Sequence, residues 1–382
     1  MRALVLGGTR FVGLRLVHAL AREGFEITIL NRGRLQAQLP PGVKRLGADR
    51  RNPDEVRSAL SGLEFDVVFD ITGYQVKNLV PMVEIFQGRL QHYVFQSTCG
   101  VYAPSQLVPI REDFPFLERT GTAPGLASYE VDKVECEEFL LRLHREKGFP
   151  ATILRCPAMY GPHNWMDDRE GSFFYRLLQG RRVLVPGDGE SFLHFVCVDD
   201  VARAHIAVVR AGGRGGEAFN IADPEAVTIN GYIDIIADIV GADSAGAQDR
   251  AGPGAPQSRT PKGPEGATDS AGAQDRASPS SPHSRNIKIH MGPSTMGELK
   301  GPVFPFPWPG SPVYDIHKAE EHLGFRPLFD IRSGLQHTYD WWRRERGVEG
   351  VEFRPGKLGH DVDLAYEDEL SAQILRARPE AG

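Results

Sequence analysis

The chain has 382 residues, four cysteines and a formal net charge of −6. That length allows one large or two smaller domains with a sizeable buried core and removes any need for a disulfide framework. The acidic balance gives no footprint for non-specific nucleic-acid binding, and no apolar run approaches the length of a membrane span.

The opening "MRALVLGG" reads as a buried strand, which leaves no room for a signal peptide. Cys99, Cys136, Cys156 and Cys197 are widely spaced without CxxC pairing, so a reducing, cytoplasmic setting is expected. Short β-type runs then alternate with amphipathic stretches: "ALVLG", Leu14 to Ala21, "EITIL", "DVVFDI", Val76 to Phe86 and "HYVFQS". This rhythm predicts an α/β fold, a Rossmann doubly wound parallel sheet. A helix over about Ala127 to Lys147 follows, ended by Gly148 and Pro150, and "ATILRC" is the next strand. Glycine and proline then rise, and "RLLQGRRVLVPGDG" and "SFLHFVCVDDVARAHIAVV" predict a smaller C-terminal substrate lobe interleaved with returning sheet elements. The expected division is 1–160 with about 193–222 for nucleotide binding, 161–192 and 223–345 for the substrate lobe, and 346–382 as a C-terminal extension. Ala242 to Asn286 contains no Val, Ile, Leu, Met, Phe, Tyr or Trp, and "DSAGAQDRA" occurs in it twice. Such a stretch buries too little apolar surface to offset its ordering entropy, so a disordered low-complexity insertion is expected.

The first strand leads into "GGTRFVG". Gly7 permits the sharp turn and Gly13 close packing, and the first-turn N–H groups of the next helix suit a pyrophosphate. The loop Gly7, Thr9, Arg10, Phe11, Val12 and Gly13 is therefore read as a cofactor loop, although the same letters also suit a tight structural turn. The second strand ends "LNRG", with Asn31 where an acidic residue would bind ribose hydroxyls. Asn31 followed by Arg32 suits a 2′-phosphate and favours NADP over NAD within an NAD(P) cofactor, with Arg10 assigned to the same phosphate. A solvated arginine after a strand is the alternative. In "GADRR", Asp49 and Arg50 fall at the adenine edge, or Asp49 caps the helix before "NPDEV". "SYEVDK" puts Tyr129 and Lys133 four apart on one helix face. An ammonium beside a phenol lowers its pKa and makes it a usable acid or base, but this spacing is equally that of a solvated face.

The segments "GGTRFVG", "GADRR", "FQSTCGVY", "YEVDK", "RCPAMYGP", "HFVCVDDVA", "FNIAD" and "DIHKAEEHLGFRP" stand in an order that resembles an extended short-chain dehydrogenase/reductase of the NAD-dependent epimerase/dehydratase family. The resemblance implies that Tyr129 transfers the proton to or from the substrate oxygen and that Lys133 holds the nicotinamide ribose. It also implies that Thr98, four residues before Tyr102, orients that oxygen, and that Cys156 lies in the segment leading from cofactor to substrate. Helices Val76 to Phe86 and Ala127 to Lys147 form a dimer interface in many relatives, which makes a homodimer the candidate assembly and leaves the oligomeric state open.

Departures narrow the chemistry. Dehydratases and decarboxylases of this family carry an acidic residue directly after the Thr, where this chain has Cys99 and Gly100. Hydride transfer at a secondary alcohol or ketone carbon, as reductase or epimerase, is expected instead. The two arginines that usually hold a nucleotide-sugar diphosphate are missing, with Leu193 at the first place, so Arg176, Arg181, Arg182 or Arg326 are the candidate substitutes. Phe304 to Trp308 reads as an apolar wall or packing loop, and His194 as a structural histidine or a site residue. A small-molecule substrate, a sugar or nucleotide sugar, is expected, with no metal and no membrane. "GGTRF" also resembles the chloroplast stem-loop-binding group of the superfamily. That makes an RNA-binding or regulatory protein the alternative, against which the retained Tyr129 and Lys133 and the acidic charge both count, so no nucleic-acid partner is expected.

Overall fold

The computed structural model describes residues 1–118, 128–164, 169–250, 287–297, 299, 304–306, 311–346 and 364–377, with the side chains of 128, 242–250, 346, 364 and 377 left aside. In chain order its elements begin with β1 (Arg2–Leu6), α1 (Phe11–Arg22), β2 (Glu26–Asn31), β3 (Lys44–Gly47), α2 (Pro53–Leu60), β4 (Val67–Asp70), α3 (Val76–Phe86) and β5 (His92–Thr98). Next come α4 (Ser128–Lys147), β6 (Ala151–Cys156), β7 (Ala158–Tyr160), α5 (Glu170–Leu178), β8 (Val183–Pro186), β9 (Phe192–Leu193), β10 (Phe195–Cys197), α6 (Val198–Arg210) and β11 (Ala218–Asn220). The last are β12 (Val227–Thr228), α7 (Ile229–Arg250), β13 (Lys288–Met291), α8 (Pro293–Gly297), α9 (His317–Leu323), α10 (Ile331–Arg346) and α11 (Leu364–Ala377).

The chain divides into two compact units: Met1–Asp167 with Ser191–Thr228 and Pro307–Gly350, and Asp168–Glu190 with Ile229–Phe306 and Val351–Gly382. This differs from the expected division at its C-terminal end, because α9 lies on α6 and β11 rather than in a substrate lobe.

The first unit holds a seven-stranded parallel sheet in the order β11-β6-β5-β4-β1-β2-β3. This is the doubly wound arrangement, reversing direction between β1 and β4. The strands are apolar on both sides because both faces are covered. Ala3 and Val5 point to α1, α6 and α9, whereas Leu4 and Leu6 point to α2, α3 and α4. Each fully buried Leu or Val contributes roughly 1.5–3 kcal/mol.

The second unit pairs β8 with β13 in parallel, with α5 and α7 packed together. Phe306 is buried against Phe173 and Tyr232 at centroid distances of 6.2 and 5.6 Å, so this part of the expected wall is a packing loop, while Trp308 lies outside the described residues. The C-terminal extension contributes α11, whose Leu370 packs on Leu184, Ile289 and Met291. The expected insertion begins later than Ala242, since α7 continues to Arg250. A helix needs only its own backbone hydrogen bonds, and no proline interrupts this stretch before Pro253. Residues 251–286 lie outside the described residues.

Candidate active site

Gly7, Asn31, Asp49, Thr98 and Cys156 all lie at or just beyond the carboxyl ends of parallel strands, where an open α/β sheet binds ligands. Gly7 and Gly8 adopt φ of 123° and 93°, a conformation open to glycine. A Cβ on Gly13 would lie 2.6 Å from the Gly8 nitrogen, and one on Gly8 2.7 Å from Ile29 Cγ2, so the loop and the helix are pressed together. Gly8 is thus as necessary as the two glycines singled out from the sequence. Helix α1 opens at Arg10 without a side-chain cap, whereas α2 is capped by Asn52, whose Oδ1 accepts from the Asp54 and Glu55 amides. An uncapped first turn fits an anionic pyrophosphate. Thr9 is half-buried, Phe11 and Val12 are buried, and Arg10 and Arg32 are exposed.

Asn31 clamps this loop: its Nδ2 donates to the Gly7 carbonyl at 3.3 Å and its Oδ1 accepts from the Gly33 amide at 2.8 Å. The adenine-edge candidates are both engaged by protein. Asp49 accepts from Arg51 Nη2 at 2.7 Å, which holds its carboxyl well below the usual range, and the cap of α2 is Asn52 rather than Asp49. Arg50 turns inward, its Nη1 and Nη2 donating to Asp70 at 2.5 and 2.9 Å and Nη1 also to Thr72 Oγ1 at 2.8 Å. Asp70 is fully buried at the end of β4 and also accepts from the Tyr93 hydroxyl at 2.6 Å. Burial alone would raise its pKa, but the Arg50 guanidinium outweighs that and holds it down. The pair is a charged strut beneath the sheet's carboxyl edge.

The Thr98 side chain lies beside the Tyr129 phenol and acts to lower its pKa, and Thr98 Oγ1 accepts from the Gly100 amide at 3.1 Å. Lys133 is buried, with Nζ 6.0 Å from the Tyr129 ring centroid, 5.3 Å from that of Tyr74 and 4.5 Å from that of Phe95. It donates to the carbonyls of Gly73 at 2.9 Å and Gln96 at 2.6 Å. Burial pushes its pKa down to about 8. The Tyr129 phenol is shifted upward, chiefly by desolvation, with Tyr74 and the Glu130 charge adding to it. Desolvation dominates at the phenol, and Lys133 directs two of its hydrogen bonds to carbonyls. Cys156 is buried within electrostatic reach of both Tyr129 and Lys133, its thiol pushed up to about 12.

A buried polar network anchors α4 on the sheet. Glu137 accepts from Ser97 Oγ at 2.5 Å and from Arg155 Nη2 at 2.7 Å; Arg155 Nη1 donates to the Tyr102 hydroxyl at 2.9 Å, which donates to Asn220 Oδ1 at 2.6 Å. Tyr129 and Lys133 therefore stand on a helix held in place by paired, fully buried charges.

On the substrate side, Leu193 is buried in β9. His194 is structural: its Nδ1 accepts from the Tyr314 amide at 3.0 Å while Nε2 faces the Asp223 carbonyl at 2.9 Å, which fixes the neutral tautomer. Cys99 is buried with Sγ 3.4 Å from the Arg155 carbonyl and its thiol pKa far up, so it is a packing residue. Two of the substitute arginines are taken: Arg176 pairs with Glu367, and Arg181 donates to Asp368 at 2.6 Å, so both dock α11. Arg182 is exposed, and Arg326 lies 3.7 Å from Glu320.

Sequence reasoning passed over Asp70, Tyr74 and Glu130. Asp70 had a signal, a charge closing the apolar run "VVFD"; Tyr74 is an aromatic just past the same strand end, and Glu130 adjoins Tyr129.

A family model described as the NAD dependent epimerase/dehydratase family matches residues 3–222, which takes in the seven-stranded sheet apart from Arg2. The chain belongs to this family. Among relatives it is 28% identical to the chloroplast stem-loop binding protein of 41 kDa b of Arabidopsis thaliana, over 98% of this chain and 85% of that protein. Among solved structures it is similar to the UDP-glucose 4-epimerase of Thermotoga maritima with UDP-glucose (22% identity, TM-score 0.65, 90% of this chain and 99% of that one). It is also similar to the dTDP-glucose 4,6-dehydratase of Bacillus anthracis in complex with NAD (16% identity, TM-score 0.66, 91% and 97%). At these identities the two structures establish the fold. Among the described residues no helix is long and apolar enough to cross a membrane.

Proposed function

We propose that this family member is an NAD(P)-dependent oxidoreductase or epimerase acting at a secondary alcohol or ketone carbon of a sugar or nucleotide sugar, with NADP favoured over NAD. The observation that carries this reading is the buried Lys133 ammonium 6.0 Å from the Tyr129 phenol ring, with the Thr98 side chain beside that phenol. A nicotinamide cofactor, when bound, supplies or takes the hydride. Tyr129 gives its proton to the substrate oxygen in one direction and receives it in the other, and its upward-shifted phenol stays protonated for the first. Thr98 orients the same oxygen. Lys133 has three donors and places two on backbone carbonyls, leaving one for a ribose hydroxyl. The uncapped turn of α1 receives the pyrophosphate, and Arg10 and Arg32 the 2′-phosphate. Cys99 and Gly100 put no acid on the Thr98 loop itself, which weighs against net elimination of water.

Calorimetric titration of NADP and NAD tests the cofactor half: micromolar binding is expected, tighter for NADP, and nothing better than about millimolar for either would sink the reading. Tyr129→Phe is expected to lower turnover about 100-fold or more with cofactor affinity unchanged. Full activity in that variant would remove Tyr129 from the mechanism.

A further inference from the structure

Gly100 and Glu130 share one space. A Cβ built on Gly100 would lie 2.8 Å from Glu130 Cγ and 3.4 Å from Thr98 Oγ1, so the absent side chain on the Thr98 loop makes room for the glutamate from α4. Glu130 Oε1 lies 3.7 Å from that same point. Its Oε2 is buried without any hydrogen-bond partner among the described residues. A buried carboxylate oxygen left unpaired is costly, and such a group persists where a ligand completes it. Its charge acts on the Tyr129 phenol, and Thr98 Oγ1 accepts from the Gly100 amide and lies beside that phenol. The carboxylate and the threonine hydroxyl thus border one small volume near Tyr129.

We propose that Glu130 is a substrate-holding residue whose unpartnered Oε2 accepts a hydrogen bond from a hydroxyl next to the carbon that Tyr129 serves. The proposal rests on the oxidoreductase reading and sharpens it. A substrate with one isolated carbinol leaves Glu130 unsatisfied, whereas a ring bearing neighbouring hydroxyls satisfies it, so the site selects polyols of the sugar class. Discrimination of this kind is strong because the penalty for the wrong ligand is an unpaired buried charge.

A merely structural Glu130 would have a different task. It lies in the first turn of α4, where a carboxylate favours the helix dipole, and its removal would then lower stability. If it is instead held unpaired for substrate, its desolvation cost exceeds that gain, and its removal stabilises the protein without substrate. The test compares the full-length wild type with Glu130→Gln and Glu130→Ala by thermal unfolding, NAD calorimetry and turnover of UDP-glucose in the presence of NAD. Both variants are expected to melt about 1–3 °C higher, to bind NAD as the wild type does, and to raise the KM for UDP-glucose about 10- to 100-fold. A melting temperature lowered in both variants overturns the inference whatever the turnover result, as does an unchanged KM. Failure of the wild type to bind either NAD or NADP sinks the cofactor reading alone, and the melting comparison still decides the role of Glu130.

Discussion

Lys133 is a cation with no carboxylate in hydrogen-bond contact among the described residues, buried to 2% exposure and held by two carbonyls and three aromatic faces. Its pKa falls to about 8 from an ordinary 10.5 because burial penalises the charged form more than those contacts repay. Between those values the unfolded chain binds more protons than the folded one, so the contribution of Lys133 to stability rises with pH. Urea unfolding should therefore show the wild type gaining on Lys133→Met as pH rises from about 8 to 10.5, by up to about 3 kcal/mol. A constant difference across that window would show that Lys133 titrates normally. The spacing of Tyr129 and Lys133 was legible because it follows from helix geometry. The strut between Arg50 and Asp70 was not: each residue has an ordinary local role, and only the parallel pairing of β4 brings the carboxylate beneath the arginine.

Elements reveal a similar split. The strands of the first unit were legible because both sheet faces are covered, so each reads as an unbroken apolar run. Helix α11 falls in the expected C-terminal extension, although Tyr366, Leu370 and Ile374 recur every four residues and mark one apolar face. Its docking site was invisible because it consists of β8 and β13, strands far apart in sequence that only the fold sets side by side. The same distance hid the partner of Arg176, which looked like a free cation for a diphosphate but is 6% exposed and closed by Glu367. Glu367→Ala leaves that guanidinium buried and uncompensated. The expected loss is about 3–5 kcal/mol in the unfolding of the second unit, read by urea denaturation. A loss under about 1 kcal/mol would mean that Arg176 relaxes to water and that α11 is held by its apolar face alone.

The molecule as a whole joins non-contiguous segments. The sheet face bearing Val5, Phe69, Val94 and Leu154 is covered by α1, by Val201 and Ile206 of α6, and by Ala319 and Leu323 of α9. A fragment of residues 1–164 carries six of the seven strands but lacks most of that cover. Expressed alone it should aggregate, or bind a hydrophobic dye with expanded dimensions in gel filtration, because a large apolar face is bare. A compact, cooperatively melting monomer would show that α1 suffices. The same arrangement bears on synthesis. A ribosome delivers β6 with its outer edge unpaired, then releases the first stretch of the second unit before β11 emerges to close that edge. Helix α9 arrives later still, after the second unit has taken most of its chain. During that interval the nascent protein shows an open strand edge beside an uncovered apolar surface, the pair of features that invites aggregation on polysomes and recruits chaperones.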